Sequence, residues 1–258
     1  MTPFHIPVIP TCEQLLVCRA IQLCIGRGAV VAGGYARDTF LKGNPKDIDV
    51  VMSWPGEVPR ASTTSATSKE MEELAAWCER FGKTLQASAR PALFVGTGLE
   101  GVSWVFNRVC PNYGTPEVGD GSFDDRIGCV LKMKLTVYHG DATFHKDVDI
   151  LIPKNVKDAH DYVKEFDYNI NQFTIEYEAN HSLPFVSLIY WGGDDFLTSS
   201  KVREVGKYGT MRRALHLYRK YPGLDWSECT AQDSDIFAAY HSVDGALYDL
   251  LTKMEIAK

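Results

Sequence analysis

Two aspartates, Asp47 and Asp49, open the apolar run Asp47-Ile48-Asp49-Val50-Val51-Met52. Side chains alternate along a strand, so both carboxylates project from one face while Ile48 and Val50 turn to the other. Carboxylate oxygens are hard ligands suited to Mg²⁺, and paired metals clamp the attacking and leaving oxygens of an in-line phosphoryl displacement. Upstream, Gly33-Gly34 follows the apolar run 28–32. Residues without Cβ let the backbone come close to a phosphate, and a helix opening there offers its N-terminal amides and positive dipole end to an anion. The chemistry in view is displacement at a phosphoryl centre.

The elements that must position these residues are legible in 30–52. An apolar strand meets the glycine pair, an amphipathic helix follows from 35 to about 42, Gly43-Asn44-Pro45 breaks it, and a second strand carries the acids. Gly33-Gly34-Tyr35-Ala36-Arg37-Asp38 followed by Asp47-Ile48-Asp49 resembles the signature of the DNA polymerase β-type nucleotidyltransferases. Within that superfamily it looks most like the head domain of tRNA CCA-adding enzymes and bacterial poly(A) polymerases. The resemblance implies that Asp47 and Asp49 hold two Mg²⁺ ions, that Gly33 and Gly34 approach the triphosphate of an NTP substrate, and that Arg37 pairs with phosphate oxygens.

Composition sets bounds on everything else. With 258 residues, 45% hydrophobic and 23% charged, the chain can bury an ordinary core in one or two domains. No apolar run approaches the ~20 residues of a membrane span, and the N-terminus lacks the pattern of a signal peptide, so a cytoplasmic protein without membrane contact is expected. Seven cysteines without a Cys-x-x-Cys pair read as reduced thiols, mostly core fillers. The formal net charge of −6 argues against indiscriminate nucleic-acid binding and leaves room for a local basic patch.

Taken in order, 11–25 has helical periodicity with Thr11 as N-cap, and Ser68 heads a helix from 69 to about 81. Between them and beyond, 61–68 and 111–125 read as loops, and 93–96 and 102–108 as a strand pair. Residues 126–138 alternate as a strand. A turn at His139-Gly140-Asp141 leads to a second strand, 144–153, with Asp147 and Asp149 on one face. The superfamily supplies a third carboxylate from such a strand, and by that resemblance Asp149, with Asp147 as the alternative, helps to deprotonate the attacking hydroxyl and joins Asp47 and Asp49 at the metals.

Asn155 is the expected cap of a helix running to about 166. Next comes 165–171, similar to the motif that closes the CCA-adding head domain, although the family's arginine pair is replaced by Lys164 and Glu165. There Asn171 is a candidate for ribose or phosphate, or else Asp167 and Asn171 simply satisfy a turn. Strands are expected at 173–178 and 185–191. From 201 to 221 seven basic residues face one acid, and Arg213, His216 and Arg219 recur every third residue on one helical face, a spacing suited to a triphosphate or an RNA backbone. A last helix is expected from about 231.

The expected architecture is α/β: a mixed, mainly antiparallel nucleotidyltransferase sheet with helices on one face, spanning 1–178, then a small helical region, 179–258. The expected activity is Mg²⁺-dependent transfer of a nucleoside monophosphate from an NTP to an acceptor hydroxyl such as an RNA or tRNA 3′ end. Its alternatives are an inactive nucleotide- or RNA-binding module and a toxin-like enzyme that modifies tRNA or a protein.

Overall fold

The computed structural model describes residues 3–26, 28–43, 45, 47–59, 68–88, 99–111, 126–154, 156–178, 185–193, 195–205 and 211–229. Within them the chain runs β1 (Phe4–Ile6), α1 (Cys12–Ile25), β2 (Ala29–Ala32), α2 (Gly33–Phe40), β3 (Asp47–Met52), α3 (Ser68–Ala87), β4 (Gly101–Pro111), β5 (Ile127–His139) and β6 (Ala142–Pro153). It continues through α4 (Ala159–Val163), a single 3₁₀ turn at Asn169–Asn171, β7 (Phe173–Glu178), β8 (Phe185–Tyr190), α5 (Phe196–Ser199) and α6 (Met211–Lys220). The eight strands form one sheet in the order β1-β8-β7-β2-β3-β6-β5-β4. Every pairing is antiparallel except β3 with β6. The fold is therefore the mixed, mainly antiparallel α/β sheet that the alternating patterns imply. β8 pairs along β7, so the sheet continues past residue 178 before α5 and α6 follow.

One face of the sheet carries the main core. Val31, Ile48, Val50, Met133, Leu135, Val148 and Ile150 pack there with Leu16, Val17 and Ile21 of α1 and Tyr35 and Ala36 of α2. Thr11 closes α1 with a capping box: its hydroxyl accepts from Gln14 N at 3.1 Å while its own N–H donates to Gln14 Oε1 at 2.9 Å. On the opposite face Val30, Ala32 and Val51 pack against Ala159, Tyr162 and Val163 of α4.

Two boundaries differ from the sequence reading. α3 runs on to Ala87, past Gly82, which is a contact residue: a Cβ there would lie 2.6 Å from Phe106 Cδ2 and 3.1 Å from Leu131 Cδ1. Its lack of a side chain lets the helix lie close on β4 and β5. The helix expected from Asn155 begins instead at Ala159, where Asp158 caps it by accepting from His160 N at 3.0 Å. The strand expected at 93–96, residues 61–67 and 112–125 of the two loops, and the helix expected from 231 lie outside the described residues.

All seven cysteines are free, and Cys18, Cys78, Cys110, Cys129 and Cys229 are buried. Burial pushes the Cys18 thiol up to about 12, as suits a core residue. Among the described residues no helix is long and apolar enough to cross a membrane.

Candidate active site

The site is built by strand register. β3 and β6 run parallel with Asp47 opposite Asp147 and Asp49 opposite Asp149. Because Ile48, Val50, Val148 and Ile150 are buried in the main core, the four aspartates share the other face of the sheet. Asp47 and Asp147 are exposed, whereas Asp49 and Asp149 are partly buried. Burial, and next to it the Asp149 charge, raise the Asp49 carboxyl to about 6, with Arg213 and Arg37 pulling the other way. Asp149 is therefore the acid of β6 that Asp49 feels.

The glycine turn adjoins this pair. Gly33 has φ +60°, and a Cβ on it would sit 3.1 Å from Asp49 Oδ2 and 3.5 Å from the Phe166 ring. A left-handed backbone and a carboxylate at contact distance both call for glycine. Gly34 has an ordinary φ and faces the Arg37 guanidinium, 3.5 Å from where its Cβ would be. The start of α2 has no side-chain cap: Ala32 is its N-cap. Its first amides thus open beside Asp49.

Arg37 and Asn171 are deeper than the sequence suggests. Arg37, 4% exposed, donates from Nε to Asp38 Oδ1 at 3.0 Å and to the Tyr221 hydroxyl at 3.1 Å, and from Nη1 to Asn171 Oδ1 at 2.5 Å. Asn171, 1% exposed, donates from Nδ2 to Asp167 Oδ1 at 2.7 Å, and Asp167 Oδ2 lies 3.2 Å from Arg213 Nε. Buried Asp38 also receives Lys220 Nζ and the Tyr221 hydroxyl. The result is a network that ties α6 to α2 and the 3₁₀ turn. Asp38, Lys220 and Tyr221 are its unforeseen members. Asp38 was visible in the Arg-Asp pair, but nothing in the sequence connects it to residues so far along the chain.

Among the described basic residues of 201–221, four are paired with acids. Glu228 Oε1 lies 2.8 Å from Lys201 and Oε2 lies 2.5 Å from Arg203, which also meets Asp195 at 2.8 Å; Arg213 takes Asp167 and Lys220 takes Asp38. His216 and Arg219 are exposed on α6. A further cation enters from β5: Lys132, in register with Asp149, places Nζ 2.6 Å from Asp149 Oδ2. Among the described residues no group of three or more His, Cys, Asp or Glu side chains is gathered tightly enough to hold a metal ion. Asp49 and Asp149 do present hard carboxylate oxygens on adjacent strands, the donor type that Mg²⁺ takes.

No family model and no curated protein matches the chain. Two solved structures share part of its shape. One is the Thermotoga maritima CCA-adding enzyme complexed with tRNA, 15% identical, covering 88% of this chain and 44% of that one, with a TM-score of 0.39. The other is a CCA-adding enzyme with CTP, 14% identical, covering 84% and 41%, with a TM-score of 0.35. The chain spans less than half the length of either.

Proposed function

We propose that the chain is a Mg²⁺-dependent nucleotidyltransferase that moves a nucleoside monophosphate from an NTP to an acceptor hydroxyl. The observation that carries this reading is the registration of Asp49 with Asp149 across β3 and β6, beside a glycine whose left-handed backbone and close approach to Asp49 disfavour a Cβ. Asp47, Asp49 and Asp149 are the residues that would hold the metal. Bound there, Mg²⁺ supplies Lewis acidity to the phosphoryl oxygens. Gly33, Gly34 and the uncapped amides of α2 receive the triphosphate, and the nearby positive charge of Arg37 and Arg213 favours it. Arg37 and Asn171 act from below, holding each other in place.

The acceptor oxygen forms its bond to the α-phosphorus as the bond to the β-phosphate oxygen breaks. Pyrophosphate leaves with the bonding pair, and the hydroxyl proton passes to Asp149. An RNA 3′ end is the acceptor to try first, and the exposed His216 and Arg219 of α6 are candidates to touch it.

The test is incubation of the purified protein with Mg²⁺, total RNA and each NTP labelled at the α-phosphate, with Asp49→Asn as control. Label transferred by the wild type and lost in the variant is the expected result. NTP binding without any transfer would make the chain a binding module, and transfer retained by Asp49→Asn would remove the acid assignment.

A further inference from the structure

The contact between Lys132 and Asp149 sits within the proposed metal site, yet an ammonium has no lone pair with which to ligate a metal, and Lys132 is absent from the phosphoryl chemistry above. Asp149 lies between two neighbours at one level of the sheet, Asp49 on β3 and Lys132 on β5. The two carboxylates repel, and the ammonium on the far side offsets that repulsion at 2.6 Å. One level along, Asp147 and Lys134 repeat the same residue types in the same cross-strand register. That second pair makes no ion pair among the described residues, and its acid is exposed. The lysine closes on the acid only where partial burial makes the repulsion count. Both partners keep about a quarter of their surface, 27% for Lys132 and 26% for Asp149, so the contact is weak enough to exchange.

We propose that Lys132 is a positioning residue that stands in for a cation at Asp149, holding its carboxylate level with Asp49 until a divalent ion displaces the ammonium. This rests on the metal-site reading above. Lysine suits the task because its ammonium is a point charge on a flexible stem, able to leave without dismantling a fork of hydrogen bonds. A metal must compete with it, so the lysine tunes affinity.

The experiment is titration of the metal-free full chain with Mn²⁺ alone, read by the electron paramagnetic resonance of the unbound ion. Lys132→Met keeps the stem and removes the competitor, so Mn²⁺ should bind about threefold to tenfold more tightly than to wild type. Lys132→Arg, with a more persistent carboxylate contact, should bind it more weakly. Opposite shifts in the two variants are not the mark of a merely structural ion pair, and the Arg variant keeps the test open should the Met variant fail to fold. Wild-type binding that is abolished by Asp49→Asn but not strengthened by Lys132→Met would overturn the role of Lys132 and leave the metal site standing. If neither wild type nor Lys132→Met binds Mn²⁺, both ideas fall.

Discussion

Asp49 and Asp149 stand opposite each other in the parallel pairing of β3 and β6, within a sheet whose other described pairings are antiparallel. Strands separated by β4 and β5 in the chain thus bring two carboxylates to one level and one face. The energetic consequences of that juxtaposition can be measured without knowing the substrate.

Asp49 titrates at about 6, above its ordinary 3.8, through burial and the neighbouring Asp149 charge. The folded state holds this proton more tightly than the unfolded chain does, so ionisation opposes folding. The penalty begins near pH 4, accumulates between pH 4 and 6 and is complete by about pH 7. In chelator-containing buffer Asp49→Asn should therefore be more stable than wild type at pH 8, by on the order of 2 kcal/mol, with the gap closing towards pH 4. Urea denaturation at the two pH values checks this, and a gap independent of pH would contradict it.

Gly33→Ala should lower stability by about 1–2 kcal/mol from the left-handed backbone alone, and nucleotide transfer should fall with it as the new methyl crowds Asp49. Gly56→Ala, where a Cβ meets nothing within 4 Å, is the control and should melt like wild type. Equal melting temperatures for the two variants would show that the turn tolerates a side chain.

The network around Asp38 makes a sharper demand. Asp38→Asn leaves Arg37 and Lys220 facing a neutral amide in a site that is 2% exposed, and should cost about 3–5 kcal/mol. Tyr221→Phe removes one hydroxyl and should cost about 1–2 kcal/mol. Hydrogen exchange across 211–220 should quicken in both, since α6 is tied to α2 through these contacts. Unchanged exchange in Asp38→Asn would mean that α6 is held by other contacts.

These contacts also mark where the sequence stops being informative. The strand, glycine turn, helix and strand of 29–52 are legible because their periods are local, and so is the shared face of Asp47 and Asp49. Period two in 127–139 and 142–153 also exposes the hairpin of β5 and β6. What no local pattern contains is which strand lies beside which. The registration of Asp49 with Asp149, the arrival of Lys132 at Asp149, and the return of Lys220 and Tyr221 to Asp38 are all long-range. Arg37 and Asn171 carry the same lesson in reverse: their residue types suggest ligand contacts, while their burial commits them to each other.

His160 supplies a second pH dependence of the same sign, here because a stabilising charge is lost rather than a destabilising one gained. Its ring bridges Asp158, 2.7 Å from Nδ1, and Glu176, 2.8 Å from Nε2. Burial disfavours the imidazolium, but the two carboxylates prevail and raise its pKa above 6.5. The stabilisation is complete below pH 6.5 and is lost as the pH rises through the higher folded value. Wild type should exceed His160→Gln by about 1 kcal/mol at pH 6 and by less at pH 9. A margin that widened with pH would refute the bridging cation.

The placement of β6 between β3 and β5 has a temporal consequence. A chain emerging during synthesis carries Asp47 and Asp49 long before Asp149 exists, and the free edge of β3 waits for a partner that arrives only after β4 and β5 have been laid down. Contacts so distant along the chain form late and slowly. Any transfer measured in a preparation would thus count correctly threaded molecules, since an incompletely threaded one holds half of the acid pair.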